Sequence, residues 1–98
     1  MITKQMVKEA YDKGVIELDV SPNGDGIVAK IDEGWFYFGG LTAEEYTDPR
    51  EYEHDIPKET IVDDIYETLD GFGEWEELCD EYGYYEEVLK ERGINDYE

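Results

Sequence analysis

The sequence predicts a single α+β domain over residues 1–98: an N-terminal helix, a three-stranded antiparallel β-meander, then two or three acidic amphipathic helices. Three observations predict it. Residues 15–38 hold three short segments of alternating polarity, each closed by Gly, Pro, Asn or Asp. Residues 61–89 hold two apolar stripes at steps of three and four. Ahead of both, Thr3 and Gly14 bracket a segment with one apolar face.

Thr3 can cap a helix running to about Lys13, with Met6, Val7, Ala10 and Tyr11 on its inner face and Gly14 as its stop. From Val15 to Val20 the chain alternates, Ile16, Leu18 and Val20 on one side and Glu17 and Asp19 on the other, as a half-buried strand does. Ser-Pro-Asn-Gly-Asp-Gly at 21–26 turns it back. Ile27, Ala29 and Ile31 alternate again, Asp32-Glu33-Gly34 makes a second tight turn, and Trp35-Phe36-Tyr37-Phe38 is a third strand ended by Gly39-Gly40.

Residues 41–55 read as an irregular connection with a helical turn. Thr42 and Glu45 fit a capping box there, and Asp48-Pro49 can open a further short turn. Pro57 suits the first position of a helix extending to about Leu69. Its stripe is Ile61, Val62, Ile65, Tyr66 and Leu69; Gly71 is the expected stop, with Phe72 packing back on the last turn. The second stripe, Trp75, Leu78, Cys79, Tyr82, Tyr85 and Leu89, allows a helix from about Glu74 to Arg92. A break at Gly83 is the alternative, since glycine inside a helix costs about 1 kcal/mol relative to alanine. Gly93 ends the element, and residues 94–98 are expected to fray.

Composition narrows the function classes. Aromatic residues make up 14% of the chain, which separates it from disordered acidic tails. Twenty-eight acids against eight bases leave a net charge of −20, so nonspecific binding to nucleic acid or to an anionic membrane is excluded and basic partners are favoured. The charge is uneven. Residues 1–40 hold seven acids and four lysines, 4 − 7 = −3, which leaves −20 − (−3) = −17 for residues 41–98. Cys79 is the only cysteine; its place in an apolar stripe predicts a buried thiol in a reducing compartment. With no long apolar run and no cleavage signature, a cytoplasmic chain without signal peptide or membrane span is expected.

Candidate chemistry is sparse. Asp19 to Asp25 places oxygen side chains at alternate positions like a calcium loop, yet the twelfth position, which needs a bidentate acid, is Lys30. A plain hairpin turn is the better reading. His54, the only histidine, stands among Glu51, Glu53 and Asp55 without the further His or Cys ligands that zinc wants. No phosphate loop, nucleophile motif or Cys/His pair is present, so neither enzyme activity nor a cofactor or metal is expected. Among the tyrosines, Tyr66, Tyr82 and Tyr85 fit the stripes. Tyr46, Tyr52, Tyr84 and Tyr97 fall on no clear apolar face and are candidate interface anchors.

The expected partner-binding residues are Asp63, Asp64, Glu67, Asp70, Glu74, Glu77, Asp80, Glu81, Glu86, Glu87 and Glu91. On a helix, Asp63, Glu67 and Asp70 stand roughly 6 and 4.5 Å apart along the axis. Duplex DNA carries one negative charge per roughly 1.7 Å of axis, and a rigid helix presents carboxylates at a density close to that of a single phosphate strand. In charge, size and display of acids on helices, residues 41–98 resemble the small acidic DNA-mimic proteins of phages and mobile elements, which include antirestriction and anti-CRISPR proteins. The resemblance includes no sequence motif and carries over no individual residue. It implies a non-catalytic inhibitor that occludes the groove of a basic nucleic-acid-binding protein, without binding nucleic acid or membrane itself. The alternative is a small acidic interaction or regulatory module that binds a basic or aromatic-lined partner surface.

Overall fold

The protein is described by a computed structural model over residues 1–94; the side chains of Leu41 and Thr42 and all of residues 95–98 lie outside that description. Helix α1 (Lys4–Asp12) starts where Thr3 accepts a hydrogen bond from the Met6 amide at 3.2 Å. It buries Met6, Val7 and Ala10. Strands β1 (Ile16–Val20), β2 (Ile27–Ile31) and β3 (Gly34–Tyr37) follow as an antiparallel meander in sequence order. Register pairs Leu18 with Ala29 and Ala29 with Phe36, which points these residues inward. The opposite face carries Glu17, Asp19, Lys30, Trp35 and Tyr37, all exposed, around a buried Val28. The helices cover only the first face.

Residues 41–55 depart from the expected irregular connection. They lie largely within two short helices, α2 (Gly40–Glu44) and α3 (Pro49–Asp55). Asp48 caps α3 by accepting from the Arg50 amide at 2.9 Å. Tyr52, which falls on no obvious stripe, is only 1% exposed. A seven-residue helix is too short to show its period in sequence, and Tyr52 turns inward against the edges of Phe38 and Tyr46, at 5.8 and 5.1 Å between ring centres. The capping box expected at Thr42 lies outside the described side chains, as does Tyr97.

Helix α4 (Lys58–Glu74) begins one residue after Pro57 and buries Ile61, Val62, Ile65 and Leu69. It does not stop at Gly71. Phe72 continues the inner stripe and packs edge-on to Phe36 at 5.5 Å, which offsets the glycine penalty. The chain then leaves the helix at Trp75, whose backbone is extended, makes a 3₁₀ turn over Glu76–Leu78, and enters α5 (Cys79–Glu91). That corner resets the helical register. Trp75 is consequently 65% exposed, and Cys79 is exposed rather than buried.

α5 runs through Gly83 without a break and buries Tyr85, Val88 and Leu89. It ends in a Schellman motif: the Ile94 amide donates to the Leu89 carbonyl at 2.9 Å, the Gly93 amide to that of Lys90 at 3.1 Å, and Gly93 has φ +83°. Ile94 does not fray, because its side chain is fully buried in the core. Among the described residues no helix is long and apolar enough to cross a membrane.

Candidate partner-binding face

The apolar stripe of α4 decides where its acids go. At about 100° per residue, Asp63, Glu67, Asp70 and Glu74 fall within a wedge of about 60°, roughly opposite Ile61, Ile65 and Leu69. The row spans roughly 16 Å of axis. Because the other side of the helix is locked into the core, the row is held on a stiff support. On α5 the same construction places Asp80, Tyr84, Glu87 and Glu91 on one outward wedge of about 60°. Between the two rows lies the corner, with exposed Glu76 and Glu77 beside Trp75. The two helices pack against each other near the corner, where the Tyr82 ring lies over Gly73, 3.1 Å from where a Cβ would sit. From Glu67 to Glu91 the chain carries ten carboxylates and one base, Lys90.

Three of the eleven expected residues stand apart from these rows. Asp64 lies on the flank of α4 that faces Gly39 and Tyr52, and burial followed by the charges of Glu67 and Asp63 holds its carboxyl above the usual range. Glu86 is half-buried and pairs with the amino group of Met1. Glu81 turns toward the edge of β3, beside Trp35 and Glu33. Asp63 keeps its place in the outward row but pairs with Lys4 of α1. Of the eleven, Asp63 and Glu86 alone take part in an ion pair among the described residues. The remaining pairs, Lys13 with Glu9, His54 with Asp55, Lys58 with Asp12 and Arg92 with Asp32, draw on acids elsewhere. Acids also stand outside this face, notably Glu44, Glu45, Glu51 and Glu53.

The other candidates have ordinary structural roles. In the 21–26 turn, the buried Ser21 hydroxyl lies 2.9 Å from the Tyr37 hydroxyl, which donates to Asp25 at 2.9 Å. The Ser21 and Tyr37 hydroxyls hold the Asp25 carboxyl below the usual carboxylate range. The turn is thus tied to β3 by hydrogen bonds. His54 is exposed on α3 and contacts Asp55 at 3.1 Å. No group of three or more His, Cys, Asp or Glu among the described residues is arranged to hold a metal ion.

Sequence reasoning missed one class of residue. Trp35, Tyr37 and Trp75 remain exposed because each lies off the helix-covered core: two on the open sheet face, one at the α4–α5 corner. For Trp35 and Tyr37 the signal was present in the strand alternation, which places both opposite Phe36 and Phe38. Comparison with protein-family models, with curated proteins and with solved structures finds no match to this chain.

Proposed function

We propose that the protein is a non-catalytic inhibitor of the anti-CRISPR or antirestriction type, which occupies the basic groove of a nucleic-acid-binding protein in place of nucleic acid. One observation carries this reading: the outward row Asp63, Glu67, Asp70 and Glu74, continued past the corner by α5, stands on a stiff support and is scarcely neutralised by bases. A groove that recognises phosphates through Lys and Arg answers to charge at regular intervals, and a rigid row supplies it without an ordering cost.

The test reverses Glu67, Asp70, Glu74 and Asp80 to Lys, which moves the net charge from −20 to −20 + 8 = −12. The parent chain, immobilised and exposed to a lysate at low salt, retains nucleic-acid-binding proteins that duplex DNA displaces. The reversed chain retains none. Retention that survives reversal, or that DNA cannot displace, refutes the reading.

The exposed indole of Trp75, beside Glu74 and Glu76, favours a second reading, an interaction module anchored by an aromatic side chain. It predicts binding that depends little on salt and is lost on Trp75→Ala.

A further inference from the structure

We propose that the shallow cleft between β3 and α5 is a subsite for an arginine side chain of the protein partner. The proposal rests on the acidic-face reading and specifies where that face ceases to be a phosphate copy.

The cleft has a volume of about 380 Å³ and is lined by Trp35, Tyr84, Glu33, Asp80 and Glu81, together with Gly34 and the buried Tyr85. Trp35 and Tyr84 are 38% and 39% exposed, whereas Tyr85 is only 4% exposed. The site is built rather than incidental. Tyr85 donates to the Trp35 carbonyl at 3.4 Å, and its ring lies 5.3 Å from that of Tyr84 in an edge contact. Gly34 permits the close approach of strand and helix: a Cβ there would sit 2.7 Å from the Tyr85 ring and 3.1 Å from the Tyr84 ring. The neighbouring base, Arg92, is already held by Asp32 at 2.9 Å. Among the described residues, no base pairs with Glu33, Asp80 or Glu81.

Two exposed rings and three unpaired carboxylates lining one cleft select an organic cation. Anions are repelled, and a hard metal ion wants an oxygen cage rather than ring faces. Between the common cations of a protein surface, guanidinium fits better than ammonium. It is planar, stacks on an aromatic face, and donates to carboxylates around its edge, whereas ammonium is a more strongly hydrated point charge. The protein class of the ligand follows from the charge complementarity of the surrounding face, which already calls for a basic protein surface.

The test uses the full chain with Trp75→Phe, so that Trp35 is the one remaining tryptophan and reports on the cleft. Nona-arginine and nona-lysine peptides are titrated at fixed ionic strength. Nona-arginine is expected to change Trp35 emission saturably and to bind about threefold or more tighter than nona-lysine. The exposed, near-isosteric pair Asp80→Asn and Glu81→Gln should weaken it about fivefold. Glu44→Gln with Glu45→Gln removes the same charge from exposed acids outside the binding face, and should weaken it less than about twofold, as screened surface charges do. Tyr84→Leu, with an unchanged circular dichroism spectrum, should erase the preference for arginine. Equal losses from the two double variants, no saturable emission change, or no arginine preference overturns the subsite. None of these outcomes touches the broader reading, which falls if lysate capture survives the four-lysine reversal or if DNA cannot displace what the parent chain captures.

Discussion

Glu67→Gln should stabilise the protein while weakening its binding, and the first effect can be worked from the α4 row. On a helix, Glu67 has three like-charged neighbours at three or four residues: Asp63, Asp64 and Asp70. Its charge is felt by Asp64, whose carboxyl it helps to push up. Each like-charge pair at this spacing costs about 0.2–0.5 kcal/mol, so removing three gains about 0.6–1.5 kcal/mol. Lys4 loses one attractive neighbour, which trims the gain. Glutamine and glutamate have similar helix propensity, so the backbone contributes little. For a chain of this size the net corresponds to a rise of roughly 2–8 °C in melting temperature. Thermal unfolding followed by circular dichroism in 10 mM and 1 M NaCl checks it. At 1 M salt the screening length is about 3 Å, and the gain should nearly vanish. A variant no more stable than the parent at low salt, or equally stabilised at both concentrations, would show that the row carries no repulsion and that its spacing is not an electrostatic feature.

Three further outcomes are expected. Gly83→Ala should raise stability by about 0.5–1 kcal/mol in urea denaturation, because Gly83 lies within α5 with open space where a Cβ would go; destabilisation would mean the helix needs to bend there. Gly39→Ala should destabilise by about 1–2 kcal/mol, since φ is +71° and the new Cβ would lie 2.9 Å from the Tyr52 hydroxyl. Adding Tyr52→Phe should recover part of that loss, and none if strain in the backbone is its whole cause. At high pH, burial followed by the charges of Glu81 and Tyr84 pushes the Tyr85 phenol up to about 12. Its contribution is complete below the ordinary phenol value near 10 and is lost as pH rises toward 12, so the urea midpoint should fall between about pH 10 and 12. Tyr85→Phe should fall less steeply; an identical slope would remove Tyr85 as a cause.

The α+β architecture was legible because its elements follow short-range rules. Thr3, the two hairpin turns and the stripe of α4 each answer to a local preference that tertiary packing did not override. What escaped was decided at a distance. Tyr52 is buried because α3 folds over the end of the sheet beside Phe38, a contact fourteen residues away that no period within α3 announces. Trp75 and Cys79 looked like members of a continuous stripe, but a single extended residue at the corner rotated both out of it. Gly71 looked like a stop because the ring contacts of Phe72 lie on β3 and α5. The outward acids of α4 were predictable from angle alone, whereas the separation of Asp64, Glu81 and Glu86 from the rows required knowing which neighbours flank each helix.

Lys4, Lys8 and Lys58 gather where α1 meets the start of α4. Lys58 opens α4 and pairs with Asp12 at the close of α1, with Lys8 and Lys13 nearby, while the acids begin in force beyond Glu67. The length of α4 puts roughly 24 Å between Lys58 and Glu74. Such a molecule carries an electric moment as well as a net charge. On the proposed reading, a positive partner surface would draw its corner forward before contact, which would remove part of the orientational search that ordinarily limits encounter to about 10⁵–10⁷ M⁻¹s⁻¹. Its advantage over a competing nucleic acid would then lie in arriving sooner as much as in holding longer.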